Sequence, residues 1–152
     1  MKKIIILLLL FVNIICSAQN LDTDALNNPD NIFIFSLKIY CSTLDTIENT
    51  VYVIDDGNIG SFFPEKINKF TIVILRDDNI AKIIKKNNGI TAVRIGNLQY
   101  INNQFSVGII PFGATMKGDS INLVNGGGLS VYFEYDCIHQ KFIYKSNEFW
   151  GI

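Results

Sequence analysis

The sequence predicts an α+β fold: an N-terminal helix and a second short helix packed on a mostly antiparallel sheet of five to seven strands. Three observations lead to it. Two segments ahead of Ile90 keep a helical period, alternating apolar runs fill the chain after it, and turn residues separate those runs.

The chain opens with a leader. In MKKIIILLLLFVNIICSAQN two lysines precede an unbroken apolar run from Ile4 to Val12, and small residues follow at Ser17 and Ala18. That order is the pattern of a secretory signal peptide over residues 1–18, with cleavage between Ala18 and Gln19. The run is shorter than the roughly 20 apolar residues a membrane-spanning helix needs. A competing reading makes Cys16 the acylated first residue of an envelope lipoprotein; Asn13, Ile14 and Ile15 before it are a poor lipobox. No later stretch is long enough to span a bilayer.

Residues 19–30, QNLDTDALNNPD, form a polar lead-in, and residues 31–152 make one domain. The whole chain holds 13 basic and 14 acidic residues, and losing Lys2 and Lys3 with the leader leaves the product mildly acidic. No basic stripe remains, so nucleic acid is not an expected partner.

A helix is expected from 31 to 46, capped by Asp30, with Asn31, Lys38, Ser42, Asp45 and Asn49 on one polar stripe. Phe33, Leu37, Tyr40, Cys41 and Leu44 would face the core. TVYVID and TIVIL read as strands, the second too continuously apolar to be half exposed. RDDNIAKIIKKNNG reads as the second helix, capped by Asp77 or Asp78, burying Ile80, Ile83 and Ile84 and stopping at Gly89. From Ile90 an antiparallel meander begins. Asn102-Asn103 fit a type I′ turn, Gly96 predicts a bulge that shifts the register by one, and Pro111 predicts an edge strand or an end of pairing.

In VNGGGLSVYFEYDC, three glycines precede a run in which Leu129, Val131, Phe133, Tyr135 and Cys137 alternate with Ser130, Tyr132, Glu134 and Asp136. A dinucleotide fingerprint needs a helix after its glycines, a P-loop ends in Gly-Lys-Ser/Thr, and a nucleophile elbow closes on a glycine. None of these patterns is present here. The glycines are expected to reverse the chain between strands at Ile121 and Leu129.

Cys41 and Cys137, the two cysteines left after cleavage, predict a disulfide closing a loop of roughly a hundred residues; the alternative is two buried thiols. Glu134, Asp136 and the single histidine, His139, would carry the chemistry of a small hydrolytic or metal-assisted enzyme, against the alternative that His139 is a turn residue and the carboxylates are solvated. No metal set or cofactor is expected. Tyr132, Glu134, Phe149 and Trp150 are the expected interaction surface, since exposed aromatic clusters mark contact sites.

CSAQN at the cleavage site, the Asn-, Ile- and Lys-rich composition and the ending NGGGLSVYFEYDCIHQKFIYKSNEFWGI resemble small exported proteins of Bacteroidota-type bacteria. The resemblance covers the leader and the C-terminal third. It implies export from such a cell, to the periplasm or beyond, and carries no activity or site residues. A helix followed by a curved meander also resembles cystatin-like or NTF2-like topology, which implies a concave sheet face. The function expected from all this is a non-catalytic binding module, of an inhibitor or immunity type, whose partner is another exported or envelope protein.

Overall fold

The computed structural model describes residues 31–45, 49–57 and 63–151. The leader, Cys16, the Ala18/Gln19 junction and the polar lead-in lie outside the described residues. Among those described, no helix is long and apolar enough to cross a membrane.

The first helix, α1, spans Ile32–Thr43. Its N-cap is Asn31 rather than Asp30: the Asn31 side chain accepts from the Ile34 backbone N–H at 3.2 Å, satisfying one of the orphan donors of the first turn. Leu37, Tyr40 and Cys41 are buried as the period requires, and Leu44 packs against the core edge. Phe33 is exposed, and Ile32, Ile34 and Ser36 are buried in its place. In a helix this apolar, most of the girth qualifies for burial, and only the partner surface chooses the face. Buried Ser36 satisfies its hydroxyl by donating to the Ile32 carbonyl at 2.6 Å.

The strands are β1 (Thr50–Ile54), β2 (Lys66–Ile67), β3 (Phe70–Leu75), β4 (Ile90–Ile95), β5 (Gln99–Ile101), β6 (Gln104–Lys117), β7 (Ser120–Asn125), β8 (Gly127–Asp136) and β9 (Lys141–Gly151). The second helix, α2, is Ile80–Asn87, between β3 and β4. One sheet runs in the order β2-β3-β1-β4-β6-β8-β9, with β5 and β7 also paired to β6. It is mostly antiparallel, but β1 is parallel to both β3 and β4. The helices cover opposite faces. Under α1 lies the main core, including Val53, Phe70, Val93, Val107, Ile109, Val131 and Phe133; under α2 lies a smaller cluster of Ile54, Leu75 and Ala92 with Ile80 and Ile83.

Among the described residues nine strands replace the expected five to seven: β2 (Lys66–Ile67) was not expected as a strand, and the strand expected across Gly96 is divided into β4 and β5 by a bulge. Ile95 pairs with Ile109 while Gln99 pairs with Ser106, so the β4-β5 segment carries one residue more than the stretch of β6 it follows. That is the bulge expected at Gly96, whose N–H still donates to the Gly108 carbonyl at 2.7 Å. Asn102 and Asn103 (φ 53° and 63°) then make the two-residue turn into β6.

The three glycines behave differently from expectation. Asn125 pairs with Phe112 and Leu129 with Ile109, so β7 and β8 run in the same direction along one side of β6, again with one residue in excess. The chain does not reverse at Gly126–Gly128; it bulges and continues. Glycine is demanded by close approach at two of the three positions, since a Cβ on Gly127 (φ +145°) would meet the Trp150 carbonyl oxygen, and one on Gly128 would lie 2.8 Å from the Ile109 oxygen.

Pro111 sits mid-strand in β6 and is not on an edge. The Gly96–Gly108 bond sets the alternation, so even-numbered residues of this part of β6 bond β4 and odd-numbered ones face β7 and β8. The missing Pro111 N–H therefore falls in the gap between the Ile109–Leu129 and Phe112–Asn125 pairs, where no ladder bond is lost.

The N-cap position of α2 is Asn79, not Asp77 or Asp78, and its side chain bonds no N–H of the helix; it accepts from Arg76 N–H (2.8 Å) and donates to the Ile74 carbonyl (3.1 Å), holding the turn that leads into the helix. At the other end Asn88 takes the left-handed conformation (φ 53°) one residue before the expected stop, and Gly89 N–H closes on the Ile84 carbonyl.

Cys41 and Cys137 are both free, the first buried and the second exposed. Phe35 of α1 packs on Phe133 of β8. From that contact α1 runs toward the Gly127 end of β8, where Tyr40 and Gly127 line one groove, while Cys137 lies beyond β8's other end. The expected disulfide is thereby overturned. Burial pushes the Cys41 thiol up to about 11, which keeps it protonated and unreactive.

Two stability outcomes follow, read by urea unfolding. Leu37→Ala, at a fully buried position, should cost roughly 2–5 kcal/mol, while Phe33→Ala should cost less than about 1 kcal/mol. Gly127→Ala should cost roughly 2–4 kcal/mol from strain and overpacking, whereas Gly126→Ala, with nothing within 4 Å of the new Cβ, should stay within about 0.5 kcal/mol. Equal effects of the two glycine variants would contradict the bulge.

Candidate interaction surface

Antiparallel pairing puts directly opposed residues on the same face, so alternation along β5, β6, β8 and β9 brings their aromatics together on the α1 side. Tyr100 packs on Phe105 (ring centroids 4.6 Å), Phe105 on Phe142 (5.3 Å), and Phe142 on both Tyr135 (5.1 Å) and Phe133 (6.2 Å). Phe35 of α1 closes the chain against Phe133 (5.9 Å) and Tyr144 (5.4 Å). Seven rings from five elements thus form one continuous layer. Phe133 is its buried root, and exposure rises outward through Tyr144 (36%) and Tyr135 (40%) to Tyr100 (60%).

The phenols at the rim are oriented by asparagines. Tyr100 hydroxyl donates to Asn103 Oδ1 at 3.3 Å and Tyr144 hydroxyl to Asn147 Oδ1. Flat apolar bodies with polar tips, fixed in place, are what contact surfaces use, because they lose little entropy on binding. Beside them runs β9, an 11-residue strand at the edge of the sheet. A bulge at Lys145 interrupts its pairing with β8, a feature that discourages indiscriminate edge pairing.

The residues singled out from the sequence divide between the two faces. Phe149 pairs with Leu129 on the α1 side, while Tyr132 and Glu134 lie on the other, and Glu134 accepts an ion-pair hydrogen bond from Lys145 Nζ at 2.8 Å. Trp150 pairs with Gly128, its ring lying against that glycine. Tyr100, Phe105, Tyr135, Phe142 and Tyr144 were not grouped by sequence reasoning. Their common signal is alternation, which becomes a patch only once strand order is known.

No family model, curated protein or solved structure matches this chain. The site is therefore read from its geometry alone.

His139 occupies the loop between β8 and β9, and its Nδ1 lies 2.6 Å from Asp136 Oδ2, while Asp136 Oδ1 accepts from the backbone N–H groups of Ile138 (2.8 Å) and His139 (3.1 Å). Both carboxylate oxygens are engaged in shaping the loop, a structural use of this pair. Among the described residues no three His, Cys, Asp or Glu side chains converge as metal ligands.

A charged cluster at the C-terminal ends of the parallel strands was also invisible in the sequence. Asp55 and Asp56 follow β1, Arg76 follows β3, and Arg94 lies near the end of β4. Arg76 Nε bonds Asp55 Oδ2 at 3.0 Å; Arg94 Nε lies 2.6 Å from Asp56 Oδ2, misaligned for a hydrogen bond, and its guanidinium stacks over Phe112 at 5.1 Å. The two pairs neutralise each other's charge locally.

The His139 side chain, the largest influence, with the backbone donors lowers the Asp136 pKa below its usual 3.8. A depressed carboxylate stabilises the fold above its unfolded pKa and loses that contribution as pH falls through the folded value. The loop should therefore loosen only in acid, below the ordinary carboxylate range. In a carbon-detected NMR titration, His139→Ala should move the Asp136 midpoint upward toward 3.8; an unchanged midpoint would show that the contact does not form.

Proposed function

We propose that this chain is an exported, non-catalytic binding module, working in the periplasm or outside the cell, that captures another exported or envelope protein through the aromatic layer on the α1 side of β5, β6, β8 and β9. The observation that supports this most is the gradient of exposure along one connected set of rings, from buried Phe133 to Tyr100 at 60%. A core that ran out of neighbours would leave isolated aromatics; an anchored layer with oriented phenols supplies a rigid contact area. An inhibitor or immunity role fits such a surface, as would the concave face of a cystatin-like or NTF2-like sheet. The leader supports export, and the mildly acidic mature chain supports a protein partner over nucleic acid.

The test is quantitative cross-linking capture from envelope and culture fractions of the native cell. The double variant Tyr100→Ala/Tyr135→Ala should bind the captured protein at least about 30-fold more weakly, the scale of a hot-spot loss of roughly 2 kcal/mol. Its thermal midpoint should move little, since both rings are rim residues. Unaltered binding by the double variant, with loss on Tyr132→Ala instead, would move the contact to the opposite face and overturn the proposal.

A further inference from the structure

At the other end of the α1 face, a groove of about 480 Å³ opens where α1 stops. Its walls are Tyr40, Val124 and Phe149, and its floor is made by Thr91, Pro111, Gly113 and the Gly126–Gly128 bulge. The volume lies within the range of small-molecule sites, roughly 300–1,000 Å³.

Two features of this groove bear on what it holds. The first is the floor. Gly127 is glycine because its backbone and Trp150 demand it, but Gly113 and Gly126 are not constrained in this way. Neither has positive φ; a Cβ on Gly113 would meet only the Val124 oxygen at 3.8 Å, and one on Gly126 would meet nothing within 4 Å. A Cβ is accommodated at both positions, and at Gly113, within β6, most residues would favour the strand more than glycine does. The one structural consequence of glycine at both places is that the sheet surface stays bare beneath Tyr40 and Phe149.

The second feature is the charge of the lining. Among the described residues no Asp, Glu, Lys, Arg or His lines the groove, in a chain where 18% of residues are charged. A charged ligand would be desolvated there without a counter-charge, which is strongly unfavourable. A saccharide would find few side-chain partners for its hydroxyls among the described lining residues, where Thr91 and Tyr40 offer oxygen and Trp150 an N–H. Apolar walls rising to Val124 (61% exposed) and Phe149 (60%) suit a flat, uncharged, apolar body.

We infer that this groove is a binding site for an uncharged apolar small molecule of ring-system size, held between Tyr40, Val124 and Phe149 over a floor kept open by Gly113 and Gly126. The site is distinct from the aromatic layer, and its ligand does not depend on the protein partner proposed above.

Trp150, the only tryptophan of the chain, is among the lining residues and reports occupancy. The probe is dansylamide, an uncharged naphthalene sulfonamide that accepts energy from tryptophan, titrated into the mature protein. Saturable transfer from Trp150 is expected, with at least about tenfold weaker binding by Gly113→Val and by Gly126→Val, and by the anionic analogue dansylglycine. Far-ultraviolet circular dichroism should be unchanged in both variants, and Tyr100→Ala/Tyr135→Ala should bind the probe like wild type. Absence of saturable transfer, undiminished binding by the folded glycine variants, or equal binding of dansylglycine would each overturn the inference. Loss of binding in the tyrosine double variant would place the probe on the aromatic layer and overturn it as well.

Discussion

The structure depends on the requirement that β6 be hydrogen-bonded along both edges. This 14-residue strand pairs with β4 and β5 on one side and with β7 and β8 on the other. Unpaired backbone groups inside a sheet cost far more than a paired bond returns, so the neighbours must follow β6 along nearly its whole length. Each neighbour does so with one residue too many, and each places glycine at the excess. The bulges concentrate twist in the middle of the sheet. The start of β8 and the end of β9 meet at Gly127 and Gly151, beside the groove, and the opposite ends of the same two strands carry Tyr135 and Phe142 of the aromatic layer.

Packing then distributes the two helices. Below the parallel strands β3, β1 and β4 the sheet is apolar on both faces, and α1 and α2 cover one face each. On the β8–β9 side α1 is the only helix among the described residues. Leu129, Val131 and Phe133 point to it, and Ser130, Tyr132 and Glu134 point to the uncovered side. Twelve residues of helix cannot shield the α1 side of so wide a sheet. The two uncovered ends of that face are the aromatic layer and the groove, so both candidate sites arise from a short helix on a long strand.

Much of this was legible locally. The Asn102-Asn103 turn, the Gly96 bulge, the apolar face of α2 and the alternation of β8 all rest on contacts within a few residues, where backbone preference and side-chain period decide. What was not legible depends on distant partners. NGGG serves a hairpin or a bulge equally well, and the length of β6 decides between them. Pro111 reads as an edge marker until the Gly96–Gly108 bond shows which way its missing donor faces. The parallel trio required knowing that β3 returns beside β1, and with it came the Asp55–Arg76 and Asp56–Arg94 pairs. The seven-ring layer draws on five elements, so no window of sequence contains it, whereas Tyr132 was conspicuous locally and lies on the other face.

Interstrand proton contacts in solution NMR of the mature protein distinguish β7 and β8 as one bulged strand along β6 from β7 and β8 as a hairpin. In the bulged strand Phe112 contacts Asn125 and Ile109 contacts Leu129 simultaneously, with β7 and β8 sharing no contacts beyond the bulge. A ladder of contacts joining Ile121–Val124 to Leu129–Tyr132 would mean that the glycines turn a hairpin, and the layer and groove built on the bulge would go with it.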